Sequence, residues 1–368
     1  MIAAATVTDS LRLLTAACEG GSSWIKALRL AGNPSSLLAM DDAALRRAGL
    51  KQEQISRLKS VSCKPQQSWN DWLAESGHDL IVFGSDLYPA SLAEIPDAPL
   101  ALWACGDASL LAQPQLAIVG SRHPTANGRI FAESLAADLS RAGITVTSGL
   151  ARGIDAASHR GAITGVGGTI AVLGNGIDLI YPACNRQLGA AILKDNLIVS
   201  EYAPTMPVRA HQFPRRNRII AGLSLGTLVV EATRRSGSLI TAKLAADYGR
   251  EVFAVPGSIH NPQSKGCHKL LRDGATLVEE TSDILVEIAP QFLANAAQTL
   301  ICDRRNGADQ LPDTLADRLD FSPITFDALL QATGLTAGEL SSMLLHLEIQ
   351  GKIEALPGGR YCRLAKRA

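Results

Sequence analysis

The chain has 368 residues, which at roughly 150 residues per domain suggests two or three domains with room for a sizeable core. Hydrophobic residues make up 46%, charged residues 19% and aromatics 4%, which excludes an intrinsically disordered chain and implies an interior of Ala, Leu, Val and Ile. The 35 Lys and Arg balance 35 Asp and Glu, so there is no chain-wide basic field and any polyanion site is a local patch.

Residues 1–75 predict a small helical domain: apolar repeats recur in Leu11–Leu14, Trp24–Leu28 and Ala44–Leu45, broken at Gly20–Gly21 and Gly32–Pro34, with no strand pattern. Ala48–Ile55 is similar to helix-hairpin-helix or SAM-like modules, although a Gly-Leu turn between amphipathic helices also serves plain packing. No basic residue precedes Arg12, and Asp9 interrupts the apolar start, so a signal peptide is not expected. The Pro-rich stretch from Tyr88 to Pro114 reads as a connector.

From Leu116 onward, apolar strand-like runs alternate with helical segments: Leu116–Gly120, Ile144–Thr147, Thr169–Leu173, Leu197–Ser200, Thr227–Val230, Val252–Val255 and Ala275–Val278. Runs apolar on both faces and separated by single helices indicate an α/β fold, a doubly wound, mostly parallel sheet over residues 76–290. Its ligands are expected at the carboxyl ends of the strands. The stretch 291–311 reads as a polar linker, and 312–368 as a winged-helix-like domain: helix, Gly334–Thr336 turn, helix to Gln350, then a hairpin around Pro357–Gly359. The longest near-apolar run, Ile219–Val230, is shorter than the ~20 residues of a membrane span, so a cytoplasmic protein is expected. The cysteines at 18, 63, 105, 184, 267, 302 and 362 form no C-x-x-C pair, and neither disulfides nor zinc are expected.

Several strand ends carry anion-binding chemistry. Gly120-Ser121-Arg122 combines a tight backbone corner, a hydroxyl and a planar cation, whereas G-x-G-x-x-G and its distal acid are missing, which disfavours a dinucleotide enzyme. Ser148-Gly149 with Arg152 repeats the arrangement, and the alternative for both is a turn with a surface Arg. Asp155 and His159 stand four apart, and with no third ligand they read as a structural cap and a helix-face His rather than a metal pair. The stretch Tyr202–Val230 contains no acid but holds Arg209, Arg215, Arg216 and Arg218 around Phe213 and Asn217. Cations for phosphates beside an aromatic for bases suit single-stranded nucleic acid, against the alternative of a solvated charged face. Ser236-Gly237-Ser238 opens a further helix able to take an anion. No G-x-S-x-G occurs, and covalent catalysis is not expected.

In their order, Gly120-Ser121-Arg122, Ser148–Asp155, Ala171–Gly174 with Tyr181-Pro182, Ser200-Glu201, Phe213–Ser224, Ser236–Ser238 and Ala254–Gly257 resemble the successive signatures of the DNA processing protein A (DprA/Smf) family. The resemblance implies an extended Rossmann-like core that binds single-stranded DNA, forms homodimers and loads the RecA recombinase during natural transformation and homologous recombination, with no enzymatic step and no cofactor. It places DNA contacts on Arg122, Ser148, Gly149 and Phe213. The family often places a basic residue just upstream of that Phe; here Ala210 and His211 lie between Arg209 and Gln212, which leaves that basic partner open, and His268 stands where many members have Asn. Apart from the resemblance, Ile219–Val230 and Leu239–Ala246 offer apolar surface for a second copy. The competing class is a Rossmann-like nucleoside monophosphate phosphoribohydrolase, for which Glu231 would supply the acid. A transcription regulator fits less well. In the C-terminal module Arg318, Lys352, Arg360, Arg363, Lys366 and Arg367 are matched by Asp313, Asp317, Asp320, Asp327, Glu339, Glu348 and Glu354, leaving no basic recognition face.

Overall fold

The computed structural model describes residues 4–17, 21–60, 67–288, 323–333, 340, 344, 347–348, 352–357 and 360–364. The expected linker 291–311 and most of the expected helix up to Gln350 lie outside them. Short helices come first: α1 (Ala4–Ala17), α2 (Ser22–Ala31), α3 (Pro34–Ala39), α4 (Asp42–Arg47), α5 (Gln52–Lys59) and α6 (Gln67–Leu73). Side-chain caps fix two of these starts: Asn33 accepts from the Ser36 N–H at 2.8 Å and Asp41 from the Ala44 N–H at 2.7 Å. Gly49, at φ +93°, makes the turn between α4 and α5 that the Gly-Leu pattern predicts.

The sheet has nine strands among the described residues: β1 (His78–Val82), β2 (Ala101–Gly106), β3 (Gln115–Gly120), β4 (Thr145–Ser148), β5 (Thr169–Leu173), β6 (Leu197–Ser200), β7 (Gly226–Val230), β8 (Glu251–Ala254) and β9 (Thr276–Leu277). Their spatial order is β1-β2-β6-β5-β4-β3-β7-β8-β9, antiparallel through β1, β2 and β6 and parallel from β6 to β9. The seven expected strands are all present. β1 and β2 are additional, and they convert the Pro-rich stretch from a connector into sheet. They carry α7 (Ala90–Ala93) between them, and the Tyr88 hydroxyl ties this connection down by donating to the Pro99 carbonyl at 2.7 Å.

The intervening helices are α8 (Ala126–Arg141), α9 (Ile154–Ala162), α10 (Arg186–Asp195), α11 (Gln212–Leu223), α12 (Ser238–Asp247), α13 (Lys265–Arg272) and α14 (Thr281–Ile288). Alternation along β3 divides the core. Leu116 and Ile118 pack with residues of α8, α9 and α14, while Ala117 and Val119 join the layer of α10, α11 and α12 that continues into the N-terminal helices. Ile219–Val230 is largely buried, Ile219, Ile220, Leu223 and Val229 in this second layer and Leu228 and Val230 in the first, so it does not supply the apolar docking surface expected of it. Ile240, Ile259, Leu277 and Val286, on α12, the loop after β8, β9 and α14, are exposed apolar residues among the described residues.

The C-terminal module shows a three-stranded sheet of β10 (Ile324–Thr325), β11 (Ile353–Leu356) and β12 (Arg360–Arg363) with α15 (Phe326–Thr333). The hairpin is as expected. The segment starting at Ile324 opens as a short strand on β12, with Ile324 opposite Tyr361, before the helix begins. No helix among the described residues is long and apolar enough to cross a membrane.

Candidate nucleic-acid interface

The chain runs β3, β4, β5, β6 in one direction across the sheet and then returns to place β7 on the other side of β3, so the topological switch point lies between β3 and β7. In doubly wound folds the crevice there takes the phosphate of a small nucleotide. Here the chain places its own carboxylate at that point. Glu231, just after β7 and at φ +54°, accepts from the Thr125 N–H at 2.8 Å and from the Thr125 hydroxyl at 2.6 Å, at the N-terminus of α8. Gly128 has no side chain because a Cβ there would run into that carboxylate.

The open side of β3 faces β4. Ser121 is buried and its hydroxyl accepts from the His123 N–H at 3.1 Å, so it shapes the corner, while Arg122 projects from it, exposed. Gly120 lies so close to the Val230 carbonyl that a Cβ would overlap it. After β4 the backbone again turns through strained conformations, with Leu150 at φ +54° and Gly153 at φ +81° immediately before α9. Asp155 holds this corner by accepting from the N–H groups of Gly149 at 3.2 Å and Ala151 at 3.4 Å. Burial pushes the Asp155 carboxyl above its ordinary range, against the opposing pull of Arg216 and those two N–H groups.

His159 is fully buried and its tautomer is determined. The Thr169 hydroxyl donates to the Val146 carbonyl, so it accepts from His159 Nδ1 at 2.7 Å, leaving Nε2 to accept the Leu150 N–H at 3.3 Å. Burial, with Arg216 and Arg160 nearby, holds the ring neutral and brings its pKa down to about 3. Asp155 and His159 are corner fasteners, and no group of three metal-ligating side chains occurs among the described residues.

The basic run of α11 divides in two. Arg216 points inward, with Nη1 donating to the Gly149 carbonyl at 2.7 Å and to the Val172 carbonyl, and a Cβ on Gly149 would overlap its guanidinium. Burial lowers its pKa to about 10, opposed by Asp155. Arg218, 6% exposed, is pinned between Glu201 at 2.5 Å and Asp97 at 3.3 Å. Asn217 accepts from Arg216 Nε at 3.4 Å. Ser148 is buried and donates to the Ile118 carbonyl at 2.6 Å. The side chains of Ser148, Arg216 and Arg218, and both backbone groups of Gly149, are therefore committed to their own chain. This narrows the sequence-based contact set, because these groups support the corners from beneath. Arg215 is partly exposed, 3.5 Å from Glu201, and Arg209 is exposed, its N–H bonded to Gln212 Oε1 at 2.9 Å.

Phe213 lies half-buried at the start of α11, its ring against Gly174 after β5, with the exposed Tyr181 ring centred 5.7 Å away. Asn185 links this aromatic side to the β4 corner by donating to the Leu150 carbonyl at 2.9 Å and the Ala151 carbonyl at 3.1 Å. Between β3, β4 and the two helices that follow them lies a cavity of about 430 Å³ lined by Arg122, Arg129, Arg152, Arg160 and Asn185. Arg122, Arg129 and Arg152 form no ion pair among the described residues, and Arg160 pairs with Glu133 at 3.5 Å. Ser236-Gly237-Ser238 opens α12 on the far side of Glu231, with the two hydroxyls 2.7 Å apart, and does not line this cavity.

These features, a nucleotide crevice closed by Glu231 beside an open arginine corner and an aromatic pair, occur on a chain whose residues 79–289 match the family model for the DNA recombination-mediator protein A and whose residues 303–359 match that for the DprA winged helix domain. The chain belongs to the DNA recombination-mediator protein A family. It is 40% identical to protein Smf of Escherichia coli over 366 residues, covering 97% of this chain and 95% of that protein, and 47% identical to DNA processing protein DprA of Streptococcus pneumoniae over 203 residues, covering 55% and 71%. Among solved structures, DNA processing protein A from Streptococcus pneumoniae superposes with a TM-score of 0.61 at 35% identity, over 75% of this chain and 96% of that one. That from Helicobacter pylori, described for its mode of binding single-stranded DNA, gives 0.52 at 29% identity, over 55% and 93%.

Arg129 and Arg160 escape the sequence reading of this family member, which names Tyr181 with Pro182 in a family signature but does not foresee its contact with Phe213. Tyr181 is 32 positions from its ring partner, and the two arginines sit on separate helices that only the fold brings together. The inward turn of Arg216 does leave a trace: it lies three and four positions before the buried Ile219 and Ile220, on the same helix face.

Proposed function

We propose that the chain binds single-stranded DNA, without transforming it, along the carboxyl edge of β5, β4 and β3, and hands it as a homodimer to the RecA recombinase in the cytoplasm during natural transformation and recombination. The observation that carries this reading is the pairing of Arg122 and Arg152, which form no ion pair among the described residues, with the Tyr181–Phe213 rings on one open edge. Guanidinium groups neutralise phosphates and rings stack on bases of any identity, which is what a strand of arbitrary sequence requires. Arg209, exposed just before α11, adds positive charge near Phe213. Glu231 opposes the hydrolase reading, since a carboxylate already bonded twice to Thr125 serves as a cap and blocks the crevice where a mononucleotide would seat its phosphate. The exposed Ile240, Ile259 and Leu277 beside the edge strand β9 support contact with a second copy. The family resemblance supports the recombinase as recipient.

The test is binding of the purified protein to single-stranded and duplex oligonucleotides across a salt series. Tighter single-strand binding, with log K falling by about 0.7 per phosphate contacted for each unit of log salt, is expected. Equal affinity for both forms, or release of free base from a nucleotide panel, overturns the reading. RecA filament assembly on strands already coated by a single-strand binding protein tests the hand-over, and sedimentation tests the dimer.

A further inference from the structure

The arginine cavity extends beyond the strand-end groove. Arg129 stands on the first turn of α8 and Arg160 on the second turn of α9, and both line the same depression as Arg122 and Arg152. Arg129 forms no ion pair among the described residues, and the Arg160–Glu133 pair is 3.5 Å long with both side chains over 40% exposed, a weak attachment in water. α8 and α9 pack closely along their length, with the Glu133 carbonyl against Gly161, so the two arginines are carried on a rigid base.

The C-terminal hairpin stands over this shoulder. Asn127 Nδ2, in the first turn of α8, donates to the Arg363 carbonyl at 2.8 Å. Glu354, on the neighbouring strand β11 and opposite Cys362, is the one acid among the described residues lining the cavity. Of the charged residues of the described hairpin, Lys352, Glu354, Arg360 and Arg363, it is the acid Glu354 that the hairpin turns to this cationic surface.

Building on the strand-binding reading above, we propose that the α8–α9 shoulder is a second phosphate subsite, held by Arg129 and Arg160. It carries a bound strand onward from the Phe213–Arg122 groove, and the C-terminal hairpin occupies it when no strand is bound. Glu354 then stands where a backbone phosphate comes to lie, and a long strand has to displace the hairpin while a short one does not.

Length separates this subsite from the groove. Because single-strand sites span roughly 4–16 nucleotides per module, oligothymidylates of about 6 and about 20 nucleotides are suitable probes for the full-length protein. The exposed pair Arg129→Ala and Arg160→Ala should weaken the long probe roughly tenfold and flatten its salt slope by about 1.4, two phosphates' worth, while the short probe loses far less. Glu354→Gln should tighten the long probe several-fold and leave the short one unaffected, and this gain should vanish when combined with the arginine pair. Equal losses on both probes, or none on either, overturn the subsite, and an unaltered long-probe affinity in Glu354→Gln overturns the hairpin's part in it. If the unmodified protein binds neither probe, the strand-binding reading itself fails, and the subsite with it.

Discussion

Arg122 and Arg216 carry the same guanidinium within one neighbourhood, and their surroundings give them opposite work. Arg216 is buried, its donors used by the Gly149 and Val172 carbonyls and its charge set against Asp155, whereas Arg122 is exposed and forms no ion pair among the described residues. One layer fixes the shape of the strand-end corners; the other presents charge to whatever lies above them. An acid-free basic run therefore gives only an upper limit on the cations available to a ligand, and burial decides how many remain.

The comparison breaks most visibly at the lower layer. Arg216→Ala leaves the buried Gly149 and Val172 carbonyls without their donor and removes the charge set against Asp155; each buried polar group left unsatisfied costs about 1–3 kcal/mol, so thermal denaturation should show a large drop or a failure to fold. A stable variant with reduced DNA affinity would move Arg216 into the upper layer. His159 sharpens the same side. Its folded pKa of about 3 lies below the ordinary 6.5, so the unfolded chain binds more protons between those values and stability falls as pH drops from 6.5 toward 3. Between pH 6.5 and 5 this amounts to about 1.6 kcal/mol, and His159→Gln should lose that share of the pH dependence in parallel melts. An unchanged pH profile in the variant would mean that the ring is not held neutral.

The upper layer is expected to respond in binding with its fold intact. Phe213→Ala should weaken single-strand affinity about tenfold with the salt slope unchanged, since stacking depends little on salt. A fall in melting temperature without loss of affinity would assign the ring to packing against Gly174 alone. Arg122→Ala has the smallest expected effect: affinity a few-fold lower at moderate salt, the slope flatter by about 0.7, and no change in melting temperature. A steady slope would show that Arg122 meets no phosphate.

The parallel strands were legible from Leu116 onward because a strand buried on both faces writes itself as a continuous apolar run. β1 and β2 were not. Pro96 and Pro99 precede Ala101–Gly106 so closely that the turn signal masks the strand, and pairing with β6 depends on contacts about 95 residues apart, as in Cys105 opposite Ile198. At the site, the corners around Arg122 and Arg152 were readable because strand, small residues and Arg follow one another directly. The meeting of Tyr181 with Phe213, or of Arg129 with Arg160, depends on helix packing that no local pattern encodes. The depth of Arg218 follows from Glu201 and Asp97, acids outside the run that was read as free of them.

Glu231 has a further bearing on competition inside a cell. With Glu231 held on Thr125 at the switch point, a free mononucleotide has only one phosphate and one base to offer the open arginine edge and its ring pair. A strand that has made its first contact presents its next phosphate at a high effective concentration, so avidity along the chain multiplies weak contacts that a monomer can use only once. Discrimination between a polymer and its own building blocks, which circulate in large excess, then needs no recognition of sequence or sugar. It follows from leaving the contacts dispersed.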